Sequence, residues 1–320
     1  MKTVDTFPYP HDMAYEQTVG KMFQFYSHDG TVLGYMLPLV ALELSKHPET
    51  VTVNYAAQTV TISATLASIE ARDVAFDKIA RCWKNAGSFE TLEGWRDEQY
   101  VVYHPLSVPY LRVERAFSVL IGVVTYGVHI NGYVPKEHST TGKTQMWIAR
   151  RSTTKPTFPG MLDNTIAGGI GYPQTVNETV IKEAMEEASL PEEYVTEHVR
   201  SAGVLSYMYQ HDPTSMKEAG LIQPEVQFIY DLPFIGVVPG VNDDEVGGFE
   251  LMDIADVKQA MLCGEFKPNC AMVMLDFLIR HGFLRAGTAV DEDPEVEYIE
   301  VSEFLDIQSR CHRRIPFPTM

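Results

Sequence analysis

The sequence is short of positive charge, has few cysteines and contains no long apolar run. Its 25 Lys and Arg stand against 43 Asp and Glu, a formal net charge of −18. That balance argues against broad contact with phosphate backbones or anionic lipid, so no nucleic acid or membrane partner is expected. An anionic small-molecule substrate would need cation concentrated locally, from side chains or from a metal. The four cysteines, Cys82, Cys263, Cys270 and Cys311, form no Cys-x-x-Cys pair and lack zinc-ligand spacing, which fits a reducing cytosol. The leading MKTVDTFPYPHDM has neither an apolar signal core nor an Arg-rich transit character. No run reaches the roughly 18 apolar residues that span a bilayer. A cytoplasmic, unanchored protein is expected. Internal repeats and low-complexity tracts are also missing.

What is present is enough apolar material, 45% of 320 residues, for two domains or one domain with a large extension. Residues 1–114 read as an accessory unit. TVTVNYAAQTVTISA alternates like a hairpin, and IEARDVAFDKIARCWKNAG has helical periodicity with Gly87 as its cap. Nothing there names a reaction, and its aromatics read as core. AFSVLIGVVTYGVHINGYV reads as one long strand, with Val124, Tyr126, Val128 and Ile130 on its drier face. MWIARRS would pair with it. AGVLSYMYQ and PEVQFIYDLPFIGVVP read as two more strands, joined by a loop holding Asp212, Glu218 and Gly220. CAMVMLDFLIRHG reads as a helix ending near Gly282. Strands, helix, strands, helix with short connections favour an α/β chain of the α+β type, a mixed sheet between helices, over a doubly wound parallel sheet.

One stretch concentrates chemistry. LDNTIAGGIGYPQTVNETVIKEAMEEASLP runs strand, glycine-rich loop, helix and a stop at Pro191. At 100° per residue, Glu183, Glu186 and Glu187 project from one side of that helix. A solvated acidic face tolerates such a trio, because surface repulsion costs only about 0.2–0.5 kcal/mol per pair. The preceding glycines shift the balance. A Walker loop would need Gly-Lys-Ser/Thr, and a dinucleotide fingerprint would want glycine where Gln174 stands. What remains is a loop and three carboxylates around one small charged ligand, best read as a metal ion.

This stretch resembles the Nudix box, Gly, five residues, Glu, seven residues, Arg-Glu-U-x-Glu-Glu-x-Gly-U, where U is a bulky aliphatic. Gly168, Glu183, the Glu186–Glu187 pair and Leu190 fall in register. Gln174 replaces the loop glutamate, Lys182 the arginine, Ser189 the last glycine, and Ala184 is a small stand-in for the aliphatic. TFPGMLDNTIAGGI, GLIQPEVQFIYDLPF, FKPNCAMV and RRIPFP extend the likeness to Nudix proteins that carry the domain called DUF4743, often labelled thiamine pyrophosphokinase-related. The resemblance implies a Nudix fold at 115–290 behind a smaller DUF4743-like domain at 1–114, with 291–320 as a tail packing on the body. It implies an enzyme hydrolysing a small-molecule diphosphate, with thiamine diphosphate or oxidised and damaged analogues such as oxythiamine diphosphate as substrates. No thiamine pyrophosphokinase domain is expected. Glu186 and Glu187 are by resemblance metal ligands, and Glu183 is a ligand or the residue that orients water.

Magnesium suits such a site, or manganese in its place: it takes oxygen ligands, keeps several waters and spreads the charge of a diphosphate. Gln174 cannot ionise, which weakens any ligand from that position. Lys182 keeps the charge of the arginine without its fork and can brace Glu186 at i+4. Glu225, at the start of a strand, is the expected general base. Arg150 and Arg151 alternate sides, so one is expected to meet phosphate, and Asn164 and Gln223 are expected hydrogen bonders to substrate. His129 reads as a satisfied structural histidine. Residues 1–114 are expected to narrow substrate choice and to supply no metal ligand. A catalytically weakened ligand-binding module and a hydrolase of nucleoside diphosphate derivatives are the alternatives, and a monomer or homodimer fits either.

Overall fold

A computed structural model describes residues 3–155, 157–211, 218–242, 244–288 and 293–320. The N-terminal third builds a four-stranded sheet in the order Val32–Met36, Phe23–Tyr26, Thr59–Ile62, Val51–Asn54. The last two form the expected antiparallel hairpin. The helix Ile69–Ala86 packs beside it because Phe76, Ile79, Ala80 and Trp83 recur at helical spacing and are all buried. Ser68 caps its start by accepting from the Ala71 amide, and Gly87 ends it in the left-handed region at φ 62°.

The segment expected to be one long strand divides in two. Arg115–Ile121 is a helix, nucleated by the Glu114 carboxylate, which accepts from the amides of Ala116 at 2.6 Å and Phe117 at 3.3 Å. Gly122 breaks it at φ 62°, where a Cβ would lie 1.8 Å from the Tyr35 carbonyl oxygen, so only glycine fits. The β-branched run then continues as the strand Thr125–Val134. Apolar alternation alone had masked the cap and the glycine.

That strand is central to a mixed sheet. Ile222–Pro233 lies parallel to it on one side, followed by antiparallel Arg200–Gln210; Gln145–Arg151 and Val246–Asp253 continue antiparallel on the other side. Ile166–Gly169 also pairs with Thr125–Val134, and Leu162–Asp163 with Gln145–Arg151. The helix Val176–Ala188 covers one face, burying Val180, Ala184 and Ala188 against Val128 and Ile130. On the other, Pro268–Arg280 buries Met272 and Val273 against Leu205, Tyr207 and Ile229. The sheet therefore lies between helices, and Thr125–Asn131 and Gly132 are buried on both faces, not on one. His129 is interior and satisfied: its Nδ1 lies 2.7 Å from Oδ1 of Asn164, and burial holds its pKa down at about 4.

The N-terminal third shares its packing with the rest. Phe7, Met22 and Tyr35 lie in one apolar cluster with Tyr126, Val128 and Phe317, while Leu221 packs into the N-terminal core. Glu218 is buried and accepts from the amides of Glu90 at 2.8 Å and Thr91 at 3.1 Å. In the tail, the Arg313 guanidinium donates to Asp5 at 2.8 Å and to the Pro8 carbonyl at 2.7 Å. Asp212 lies outside the described residues. Among the described residues no helix is long and apolar enough to cross a membrane.

Candidate active site

The acidic helix is fixed at both ends by its own sequence. At its start Thr175 and Glu178 form a reciprocal capping box, the Thr175 amide donating to Glu178 at 2.8 Å and the Glu178 amide to Thr175 Oγ1 at 3.3 Å. At its end Ser189 adopts φ 54°, the left-handed geometry a glycine would supply, and Leu190 buries itself just beyond. Gln174 closes the turn before the cap by donating its amide to the Gly171 carbonyl at 2.9 Å.

The three carboxylates occupy three environments. Glu186 is the most open, its side chain 53% exposed. Glu183 is largely covered, and burial raises its pKa, with the Lys182 ammonium opposing and Glu186 and Glu98 adding to the rise. Lys182 stands between these two, 3.0 Å from Glu183 and 3.1 Å from Glu186. Glu187 is buried and accepts from the Ala167 amide at 2.9 Å, which ties the helix to the glycine strand. It also borders a small cleft lined by Arg151, Lys155, Asp163 and Glu245. Among the described residues no three His, Cys, Asp or Glu side chains converge at metal-holding distances.

The loop glycines are explained by proximity, since none of Gly168, Gly169 and Gly171 has a positive φ. A Cβ on Gly168 would lie 2.2 Å from Cδ of Glu183. One on Gly169 would lie 2.0 Å from the Tyr100 hydroxyl, and one on Gly171 2.6 Å from Oε1 of Glu98. Two of the three side chains that press on the loop thus come from the N-terminal third. The backbone follows: the Tyr172 amide donates to the Gln99 carbonyl at 2.7 Å. Glu98 is held by Arg115 at 3.1 Å.

Glu225 sits on the opposite face of the sheet end from Glu183. It pairs in register with Thr125 and shares a face with Gln227, which lies across from Gly127 and, through it, from Gly169. Its carboxylate accepts from the Tyr207 hydroxyl and from the Gln227 amide, each at 2.5 Å. Burial raises its pKa, opposed by those hydrogen bonds and by the charge of Lys267.

The four expected substrate contacts have other occupations. Arg151 donates to Asp163 at 2.8 Å and to the carbonyls of Phe158 and Thr157, so its fork holds the loop that follows it. Asn164, 1% exposed, hydrogen-bonds with His129, Asn131 and the Cys270 carbonyl and, like Arg151, borders the small cleft beside Glu187. Arg150 pairs with Glu250 at 2.9 Å on the surface of the sheet, and Gln223 lies 3.3 Å from His211. Sequence reading missed Glu98, Tyr100, Arg115, Lys155 and Lys267. Lys267 lies within FKPNCAMV, where the resemblance gave it no role, and the aromatic in QYVVY reads as ordinary strand core.

Against family models, residues 11–125 match "Domain of unknown function (DUF4743)" and residues 139–269 match "NUDIX domain". Uncharacterized protein YJR142W of Saccharomyces cerevisiae is 38% identical over the whole chain, which covers 91% of that protein. The chain belongs to the Nudix family, in the group that carries DUF4743 ahead of the Nudix domain. Two Arabidopsis thaliana relatives, Nudix hydrolase 20, chloroplastic and Nudix hydrolase 24, chloroplastic, are each 33% identical, over 74% and 65% of this chain. The chain spans 57% and 54% of their lengths, little more than half. Among solved structures, DR0079 from Deinococcus radiodurans is 20% identical over 48% of this chain and 83% of its own, with a TM-score of 0.35. The MutT protein from Methanosarcina mazei is 12% identical over 49% and 95%, with a TM-score of 0.36. The Nudix box of this chain, Gly168 to Leu190, falls wholly inside the matched Nudix segment.

Proposed function

We propose that the protein is a divalent-metal-dependent diphosphatase acting on thiamine diphosphate or its oxidised and damaged analogues. The observation that carries the metal assignment is the Lys182 ammonium, held about equally by Glu183 and Glu186. A positive charge already stands in for the cation those two carboxylates would share, and the bare Gly168 leaves room for Glu183 beside the loop. Oxygen donors on one helix face suit magnesium or manganese. Glu183, Glu186 and Glu187 would hold the ion. When bound, it supplies charge for the diphosphate oxygens and lowers the pKa of water.

The chain's own residues account for the rest of the chemistry. Glu225, oriented by the Tyr207 hydroxyl and the Gln227 amide, takes the proton of the attacking water as its oxygen bonds to phosphorus and the bridging P–O bond breaks. Lys267, within electrostatic reach of Glu225 and Asp163, and Arg115, within reach of Tyr100 and Glu98, are the cations assigned to meet the phosphate charge. The substrate class rests on the resemblance across the whole chain, and a cytoplasmic location remains part of the same reading. Magnesium- and manganese-dependent turnover is to be measured across thiamine diphosphate, oxythiamine diphosphate, and dinucleotide and sugar-nucleotide diphosphates. Preference for the thiamine compounds supports the proposal. A preference for nucleotides overturns the substrate assignment, and no metal-dependent turnover of any of them overturns the enzyme.

A further inference from the structure

This inference rests on the diphosphatase reading and extends it into the N-terminal third. Tyr100 belongs to the strand Gln99–Tyr103, and only 7% of its surface is exposed. Its hydroxyl fills the space that a side chain at position 169 would take. It makes no hydrogen bond to any described residue. That oxygen is not among the fully enclosed polar atoms without a partner, so it stays within reach of solvent or of a ligand. Glu98, Glu183 and Glu225 all lie near enough to act on its ionisation, yet none accepts its proton. The Arg115 guanidinium stands 5.8 Å from the ring centre. Burial keeps the phenol protonated far above neutral pH, so at pH 7 it is a donor.

A donor without an acceptor among the described residues, within electrostatic reach of Glu183 and Glu225, is suited to an anionic oxygen carried by a ligand. We propose that Tyr100 is a substrate-contacting residue whose O–H donates to a diphosphate oxygen beside the glycine loop, with Glu98 and Arg115 next to it. A neutral donor can approach a diphosphate amid three carboxylates without adding to their repulsion. Arg115, half exposed and tied to Glu98, adds positive charge beside it. The N-terminal third would then complete the active site as well as select for it.

The test uses the full-length chain as wild type, Tyr100→Phe and Glu186→Gln. Three quantities are read: binding of methylenediphosphonate with magnesium by calorimetry, KM for thiamine diphosphate, and the unfolding temperature without ligand. Tyr100→Phe is expected to unfold at the same temperature or higher, since the lost hydroxyl had no partner. It should bind methylenediphosphonate roughly ten- to a hundredfold more weakly, the usual loss for a hydrogen bond to a charged oxygen, with KM rising in step. Magnesium alone should bind as in wild type. Unchanged methylenediphosphonate binding by Tyr100→Phe, alongside weakened binding by Glu186→Gln, overturns this proposal and leaves the diphosphatase standing. A lower unfolding temperature assigns the hydroxyl to structure and overturns it as well. Wild type that neither binds methylenediphosphonate nor turns over any diphosphate removes the diphosphatase reading and this proposal together.

Discussion

Substituting Gly169 by alanine isolates the contact on which the two parts of the chain meet. The new Cβ would lie 2.0 Å from the Tyr100 hydroxyl oxygen, 3.0 Å from Cζ and 3.4 Å from Cε1. The first distance cannot be tolerated, and a tyrosine ring buried in a strand has no flexible end to swing away. Overpacking of this kind costs about 1–3 kcal/mol. In a Tyr100→Phe background the oxygen is gone and the nearest atom is Cζ at 3.0 Å, which a shift of a few tenths of an ångström relieves. The same alanine should then cost under about 1 kcal/mol, giving a coupling of roughly 1–2 kcal/mol between the positions. Urea unfolding of wild type, both single variants and the double variant measures it, provided the m-values agree. Additivity to within about 0.5 kcal/mol would refute the packing argument, because distant sites behave that way.

Three further outcomes follow from the same geometry. Glu186→Gln should lower metal-dependent turnover by roughly a hundredfold or more, since a ligand charge is lost, while an ion pair this exposed changes urea stability by less than about 1 kcal/mol; wild-type turnover in the purified variant would end the ligand assignment. Ser189→Gly should raise stability by about 1 kcal/mol in the same assay, because a serine at φ 54° bears a left-handed strain that glycine does not; a loss would show that the Ser189 side chain contributes packing. Asp231 would resist burial if unpaired, but His281 at 2.8 Å and Arg280 at 2.6 Å lower its pKa to about 2 from an ordinary 3.8. A depressed carboxylate stabilises the fold above the unfolded pKa and loses that effect as pH falls through the folded one. Asp231→Asn should therefore cost about 2 kcal/mol at pH 7, and the gap to wild type should narrow between pH 4 and 2; a gap independent of pH, read from unfolding midpoints, would contradict the sign.

Periodic elements were legible because their signals are local. The helix Ile69–Ala86, the hairpin Val51–Asn54 with Thr59–Ile62, and the acidic helix with its capping box each carry pattern and punctuation within one window. The helix Arg115–Ile121 escaped because its apolar residues, read without the Glu114 cap, run straight into a β-branched strand. The sheet's second buried face escaped for a different reason. Its polar residues His129, Asn131 and Asp231 satisfy one another and their neighbours inside, so polarity there did not mean water.

The site divides along the same line. The box placed Glu183, Glu186 and Glu187 on one face because helical spacing alone decides it, whereas Arg151 and Asn164 were chosen by side-chain chemistry and are held by Asp163 and His129. Tyr100 could not be found from either rule. Its neighbour Gly169 is 69 residues away in sequence, and a glycine-rich loop says nothing by itself of which side chains press on it. Only when each glycine is asked what its missing Cβ would strike does the loop answer with Glu183, Tyr100 and Glu98, one from the acidic helix and two from the N-terminal third. A glycine run without positive φ is thus a record of close approach, and here what approaches includes a phenol that no described residue accepts from.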